Sequence, residues 1–201
     1  MGRPAKFNRD EAVETVMNEI WKNGFEVCSV KSISEKLGIT RSSFYNAFGN
    51  REALFEEVLE RYFDQSPDRA LAGAGKDSPV LPLLNRVFRE VCRIRAADAQ
   101  ARGCMVVNCV AELVGVNDTL GPVLERALLG SIDRLEFLLR RAAENGEIPD
   151  NNDLHEKALA LQNLLIGLNL MCKVVRSEDE LWAAARQTLQ GLGLYAAAHS
   201  D

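Results

Sequence analysis

No apolar run in this 201-residue chain approaches the ~20 residues that a helix needs to cross a bilayer. The opening MGRPAKFNRDEAVE is polar and holds no hydrophobic export segment, so a cytoplasmic protein without a membrane partner is expected. Histidine is scarce, with only His155 and His199, and the five cysteines (Cys28, Cys92, Cys104, Cys109, Cys172) contain no C-x2-C pair, so a zinc site is not expected. An odd number of thiols in a reducing compartment argues against a disulfide framework. There is no glycine-rich phosphate loop, no histidine beside a nucleophile and no metal-ligand spacing, so neither an enzyme nor a cofactor is expected. The 14 Gly and 6 Pro follow no period, which excludes a collagen-like fibre, and 47% hydrophobic residues are too many for a disordered chain.

Charge is present but unevenly spread. The net charge of −5 divides into eight Lys/Arg against six Asp/Glu in residues 1–51, a net +2, and −7 over the remaining 150. A mildly basic first quarter joined to an acidic remainder suggests two tasks, and local charge decides whether a surface attracts phosphate.

The spacing of apolar residues predicts an all-α protein. Val13, Val16, Met17, Ile20 and Trp21 form one stripe at the helical period, between an Asn8 cap and a Gly24 stop. A short helix follows Ser29 and stops at Gly38, a second runs from Arg41 to Phe48 behind Thr40, and Asn50 caps the next. Residues 64–78, DQSPDRALAGAGKDS, read as a connection. A helix is then expected from Ser78–Pro79 as cap and first residue. The valine-rich 103–115 is read as helix because no second strand is available to pair with it. A long helix opens at Gly121–Pro122 and closes at Asn145–Gly146, and two more begin at Asp153 and Ser177, each with a glutamate at the capping-box spacing. The resulting division is a unit of short helices over 1–50, a connecting helix over 51–64, and a helical bundle over 65–201.

Two features point to function. Helices separated by Leu37-Gly38-Ile39-Thr40 have the form of a helix-turn-helix, whose second helix enters the major groove. With Phe44 and Phe48 turned inward, the opposite face of the second helix carries Ser42, Tyr45, Asn46 and Gly49, with Arg41 and Ser43 at its edges and no acid, a set suited to phosphates and base edges. The other feature is the helix after Asp153, whose Leu154, Ala158, Leu161, Leu165, Leu168, Cys172 and Val175 make a heptad-like seam, with a second apolar face in Leu164, Leu170, Met171 and Val174. A helix apolar on two sides must bury both. Leu161, Leu165, Leu168 and Cys172, with Trp182, Ala185 and Leu189 of the last helix, are therefore expected at a subunit interface.

The stretch SVKSISEKLGITRSSFYNAFGNREAL, preceded by an amphipathic helix ending in Asn-Gly-Phe, resembles the TetR-family transcriptional regulators. The resemblance implies a homodimer with an N-terminal domain for an operator in double-stranded DNA and a divergent C-terminal domain for a small-molecule effector. Carried onto this chain, Tyr45 and Arg51 would meet phosphates, and Arg41, Ser42 and Asn46 would face bases or backbone, with Lys31, Thr40 and Ser43 beside them. Ala47 stands where the family often has histidine, and Asn46 where it often has an aromatic or basic residue, so operator preference is not transferable. Within the C-terminal domain, Phe88, Cys104, Met105, Asn108, Glu112, Phe137 and Met171 are the expected lining of an effector cavity. Arg102-Gly103-Cys104-Met105-Val106-Val107-Asn108 also looks like a sub-group of the family with Gly-Cys-x-x-x-(Asn/Lys), some members of which sense electrophiles or oxidants through cysteine. The expected function is an effector-released repressor. The alternatives are a thiol-sensing repressor acting through Cys104, or an all-α interaction module that binds no DNA.

Overall fold

The computed structural model describes residues 8–72, 78–150 and 153–196, and these hold helices joined by turns. In chain order they are α1 (Arg9–Asn23), α2 (Val30–Leu37), α3 (Arg41–Phe48), α4 (Arg51–Gln65), a 3-10 turn (Pro67–Leu71), α5 (Val80–Ala97), α6 (Met105–Leu113), α7 (Gly121–Glu144), α8 (Leu154–Met171) and α9 (Glu178–Gly191). The side chains of Asn8, Ser29, Thr40, Asn50 and Ser177 accept backbone N–H bonds at the starts of α1, α2, α3, α4 and α9, satisfying donors that a first turn leaves free. The valine-rich segment is helical as α6, with Met105, Val106, Cys109 and Leu113 on its buried side.

Two expected caps differ. Helix α5 starts at Val80, one residue after Pro79, and the N–H groups of Val80 and Leu81 donate to the Glu147 carboxylate at 2.9 and 2.8 Å. That glutamate follows the far end of α7, so no local pattern announces it. Asp153 makes no side-chain cap bond, and its carboxylate faces Lys157 at 3.1 Å instead.

Two cores form. The first gathers α1–α4 around Phe25, Phe44, Phe48 and Phe55 and also takes in Met105, Cys109 and Leu113 of α6 and Leu124 of α7. The second joins α5, the latter part of α7, α8 and α9. Packing thus crosses the polar connection at 64–78, and α6 belongs by contact to the N-terminal core.

The α8 seam needs correction. Leu161, Leu165, Leu168 and Cys172, and Ala185 and Leu189 of α9, are at most 5% exposed within a single subunit. Trp182 is partly buried near Tyr195, ring centroids 6.5 Å apart, and beside Arg89. A helix laid between α7 and α9 uses its regular stripe inside its own chain, and that stripe is no longer available to a partner. The face left outside carries Leu159, Leu170, Met171 and Val174.

Candidate nucleic-acid interface and effector cavity

Helix α2 ends on Gly38 in the left-handed region (φ 66°), and the Ile39 N–H returns to the Ser34 carbonyl at 3.0 Å. This closed turn sets α3 across α2, with Phe44 fully buried and Phe48 packed 5.4 Å from it. The opposite side of α3 exposes Arg41, Ser42, Ser43, Tyr45 and Asn46, and Tyr45 is 52% exposed. No acid occurs in the helix. Among the described residues no carboxylate lies within 4.0 Å of Arg41, although a cation in a first turn is disfavoured by the helix dipole. Thr40 and Ser43 are engaged locally: the Ser43 N–H donates to Thr40 Oγ1 at 3.1 Å and the two hydroxyls lie 2.9 Å apart. Lys31 is exposed on α2, 3.9 Å from Glu35.

Arg51 departs from expectation. Its guanidinium lies over the Phe25 ring, 4.1 Å from the centroid, 3.2 Å from Glu26 and 3.7 Å from Glu52, with the side chain only 21% exposed. Stacked and paired in this way, it braces α4 against the α1–α2 turn and is not presented beside α3.

The same turn is tied to the C-terminal region. Glu112 of α6 accepts the Phe25 and Glu26 N–H groups at 3.0 and 2.9 Å. Gly24 is the residue this clamp permits, because its φ is +87° and an added Cβ would stand 3.0 Å from the Glu112 carboxylate. Trp21 Nε1 donates to the Gly103 carbonyl at 3.0 Å, and Arg102 stacks on the Trp21 ring, 3.9 Å from its centroid. Gly103 is equally constrained: at φ +71° its Cβ would meet the Asn169 carbonyl oxygen at 2.3 Å. Removing the clamp with Glu112→Ala is expected to cost about 2 kcal/mol. For a chain of this size that is roughly a 4–8 °C fall in Tm, read by circular dichroism; an unchanged Tm would show that the clamp carries no stability.

A cavity of about 60 Å³ lies where α4, α5, α6, α7 and α8 meet, and Cys104 is the one expected residue that borders it. Phe88 and Met105 are fully buried in the two cores. Asn108 accepts from Lys173 Nζ at 2.8 Å and donates to the Arg102 carbonyl, and Glu112 serves the α1–α2 turn. Phe137 and Met171 are 59% and 43% exposed on the outside. Apolar periodicity does not distinguish a cavity wall from packed core, and the register of α7 turns Leu135, Leu138 and Leu139 inward and Phe137 outward.

The polar side of the cavity consists of residues not expected from the sequence. Arg95 is 4% exposed, and Gln162 and Asn169 are each 7%. Arg95 Nε donates to Asn169 Oδ1 at 2.6 Å and Nη2 to the Tyr62 hydroxyl at 3.0 Å. Tyr62 in turn accepts the Met105 N–H at 3.2 Å and donates to Cys104 Sγ at 3.2 Å. Burial holds the Tyr62 phenol well above its usual range, so it stays neutral. Ser131 donates to Gln162 Oε1 at 2.7 Å. A signal was present: Arg95 stands one turn beyond Val91 on the inward stripe of α5, and Gln162 and Asn169 sit among the buried leucines of α8, positions where a polar residue needs a reason.

Of the five thiols, Cys104 is partly exposed and the other four are buried. Burial raises Cys28 to about 11 and Cys92 and Cys109 to about 12, and also raises Cys172, so these four remain protonated and inert. Among the described residues no group of three or more His, Cys, Asp or Glu could hold a metal, and no helix is long and apolar enough to cross a membrane.

A three-helix head whose α3 is exposed and acid-free, locked by α6 onto a helical bundle, defines a helix-turn-helix protein with a helical C-terminal region. Residues 13–58 match the bacterial regulatory proteins of the tetR family, and residues 80–188 match the tetracyclin repressor-like C-terminal domain. The chain belongs to the TetR family and is a DNA-binding transcriptional regulator, not an enzyme. The HTH-type transcriptional repressor ComR of Escherichia coli (strain K12) is 28% identical over 191 residues, covering 94% of this chain and 90% of ComR. A cysteine mutant of the TetR family transcriptional regulator CifR, complexed with 26-bp double-strand operator DNA, is 27% identical with a TM-score of 0.82, over 94% of this chain and 98% of CifR. The reduced form of E. coli NemR, at 20% identity and TM-score 0.74 over 89% and 95% of the two chains, shares the fold.

Proposed function

We propose that this protein is a repressor that binds a near-palindromic operator as a homodimer and is released when an effector occupies the cavity beneath α6. The observation that carries the reading is the exposed face of α3, which offers a cation, hydroxyls and an amide with no carboxylate to repel phosphate. In a two-fold dimer the paired α3 helices would enter successive major grooves about 34–36 Å apart. The dimer face we assign is the outer side of α8 and α9: Leu159, Gly167 and Leu170 on α8, beside Ala184 and Gly191 on α9. An added Cβ at Gly167 or Gly191 meets nothing within 4 Å in the monomer, which leaves room for the close approach of a second copy. Release follows if the filled cavity favours a spacing of the two heads that does not fit DNA, since only differential affinity shifts a population. α6 is the element placed to transmit it, running from Val106 and Val107 at the cavity to Glu112 on the α1–α2 turn.

A mobility-shift assay on the gene's own upstream region tests the reading. A shift that weakens steeply with salt is expected, because phosphate contacts release counterions; no shift on any upstream fragment at low salt would overturn it and favour an interaction module.

A second reading is supported by the state of Cys104, the one thiol with solvent access, at the N-terminus of α6 and bonded to Tyr62. An electrophile or oxidant that modifies it would alter the cavity from inside. N-ethylmaleimide is expected to modify Cys104 at least about tenfold faster than the buried thiols and to release operator from wild type but not from Cys104→Ser. Equal loss in both proteins, or in neither, would discard the thiol switch.

A further inference from the structure

Arg95 is held in the cavity wall with two neutral acceptors, Asn169 and Tyr62. Among the described residues no carboxylate lies within 4.0 Å of its guanidinium, and it makes no hydrogen bond to the Cys104 sulfur. The Trp21 ring, 5.6 Å from the guanidinium carbon, screens one side only partly. Arginine keeps its charge at any accessible pH. A buried cation with no carboxylate in contact is an arrangement that a partner of opposite charge, brought within hydrogen-bond distance, improves. The rest of the lining is mixed, with aliphatic Val106, Leu128, Leu165 and Ile166 beside the Ser131–Gln162 pair.

Size narrows the partner. At roughly 10–15 Å³ of such volume per water, 60 Å³ holds about four to six small atoms. Asp68, partly exposed on the 3-10 turn and bonded by the Ser66 hydroxyl, borders the same space and would repel a second negative charge. We propose that the effector is a short-chain aliphatic monocarboxylate, with its carboxylate on the Arg95 guanidinium and its alkyl chain against Val106, Leu128 and Leu165. The assignment rests on the reading of this cavity as the effector site and names the chemistry it selects. Carboxylate pairing with arginine is bidentate and charge-assisted, so a neutral isostere loses most of it.

Isothermal titration calorimetry of the full chain without DNA tests this, using acetate, propionate and butyrate against propionamide in a constant chloride background. At least one acid of the series is expected to bind, with propionate preferred over propionamide by roughly 10- to 100-fold. Arg95→Gln is expected to lose that preference and Arg95→Lys to keep part of it, with folding checked by circular dichroism. Because Arg95→Gln also removes buried bonds to Asn169 and Tyr62, the comparison of propionate with propionamide on wild type stands by itself. Equal binding of acid and amide, or no binding of any acid at millimolar concentration, overturns the carboxylate assignment. A mobility shift that persists in that case leaves the repressor reading intact, whereas absence of a shift in untreated wild type strikes the repressor reading, and with it the effector role, while the calorimetry still decides carboxylate binding.

Discussion

Replacing Arg41, Tyr45 and Asn46 together with alanine is expected to lower operator affinity by on the order of 10⁴-fold. Each contact to phosphate or base contributes about 1 kcal/mol or more, and a two-fold dimer loses every contact twice. Because the three side chains are exposed and alanine favours helix, Tm should move little, which separates lost contact from lost fold. The single variants should differ in kind. Tyr45→Phe is expected to weaken all DNA sequences alike and leave the salt slope unchanged, because the lost hydroxyl carries no charge, whereas Asn46→Ala should change which bases are preferred. Arg51→Ala should act chiefly on stability, since its guanidinium is committed to Phe25 and Glu26. Full operator binding by the triple variant would remove α3 as the reading element.

Two neighbouring substitutions on α8 are expected to behave in opposite ways. Leu168 is 2% exposed in the subunit's own core, and Leu168→Arg would bury an unpaired charge there. Such burial costs several kcal/mol, a large part of the roughly 5–15 kcal/mol that holds a domain together, so the expected result is loss of folded protein and not a clean monomer. Gly167 lies one position away on the outward side, where an added Cβ meets nothing within 4 Å. Gly167→Arg should keep the helical circular dichroism signal, elute as a monomer in light-scattering chromatography and lose binding to a palindromic operator. A folded dimer from Gly167→Arg would move the interface elsewhere. A folded monomer from Leu168→Arg would show that the leucine seam, and not the outer face, holds the subunits together.

The recognition helix was legible because everything that makes it is local. Thr40, Phe44, Phe48 and Gly38 lie within a few residues of one another, and the acid-free face follows from counting around one short helix. The heptad-like seam of α8 was legible as a pattern and misread as a place: the 3.6-residue period identifies an apolar stripe but not which neighbour covers it. The cavity lining failed for the same reason, since Phe88, Met105 and Phe137 satisfy the period equally well in core, wall or exterior.

By itself the sequence determined the all-helical class, most of the helix limits, five of the local caps and the exposed face of α3, since each depends on bonds spanning about four residues. Tertiary structure decided which side of α8 is left exposed, which glutamates seal Phe25 and Val80, and that a buried guanidinium lines a small cavity. Those outcomes hang on side chains far apart in the chain, Glu112 with Phe25 87 residues away and Arg95 with Asn169 74 away. No local pattern encodes such meetings, because they exist only once the helices have packed.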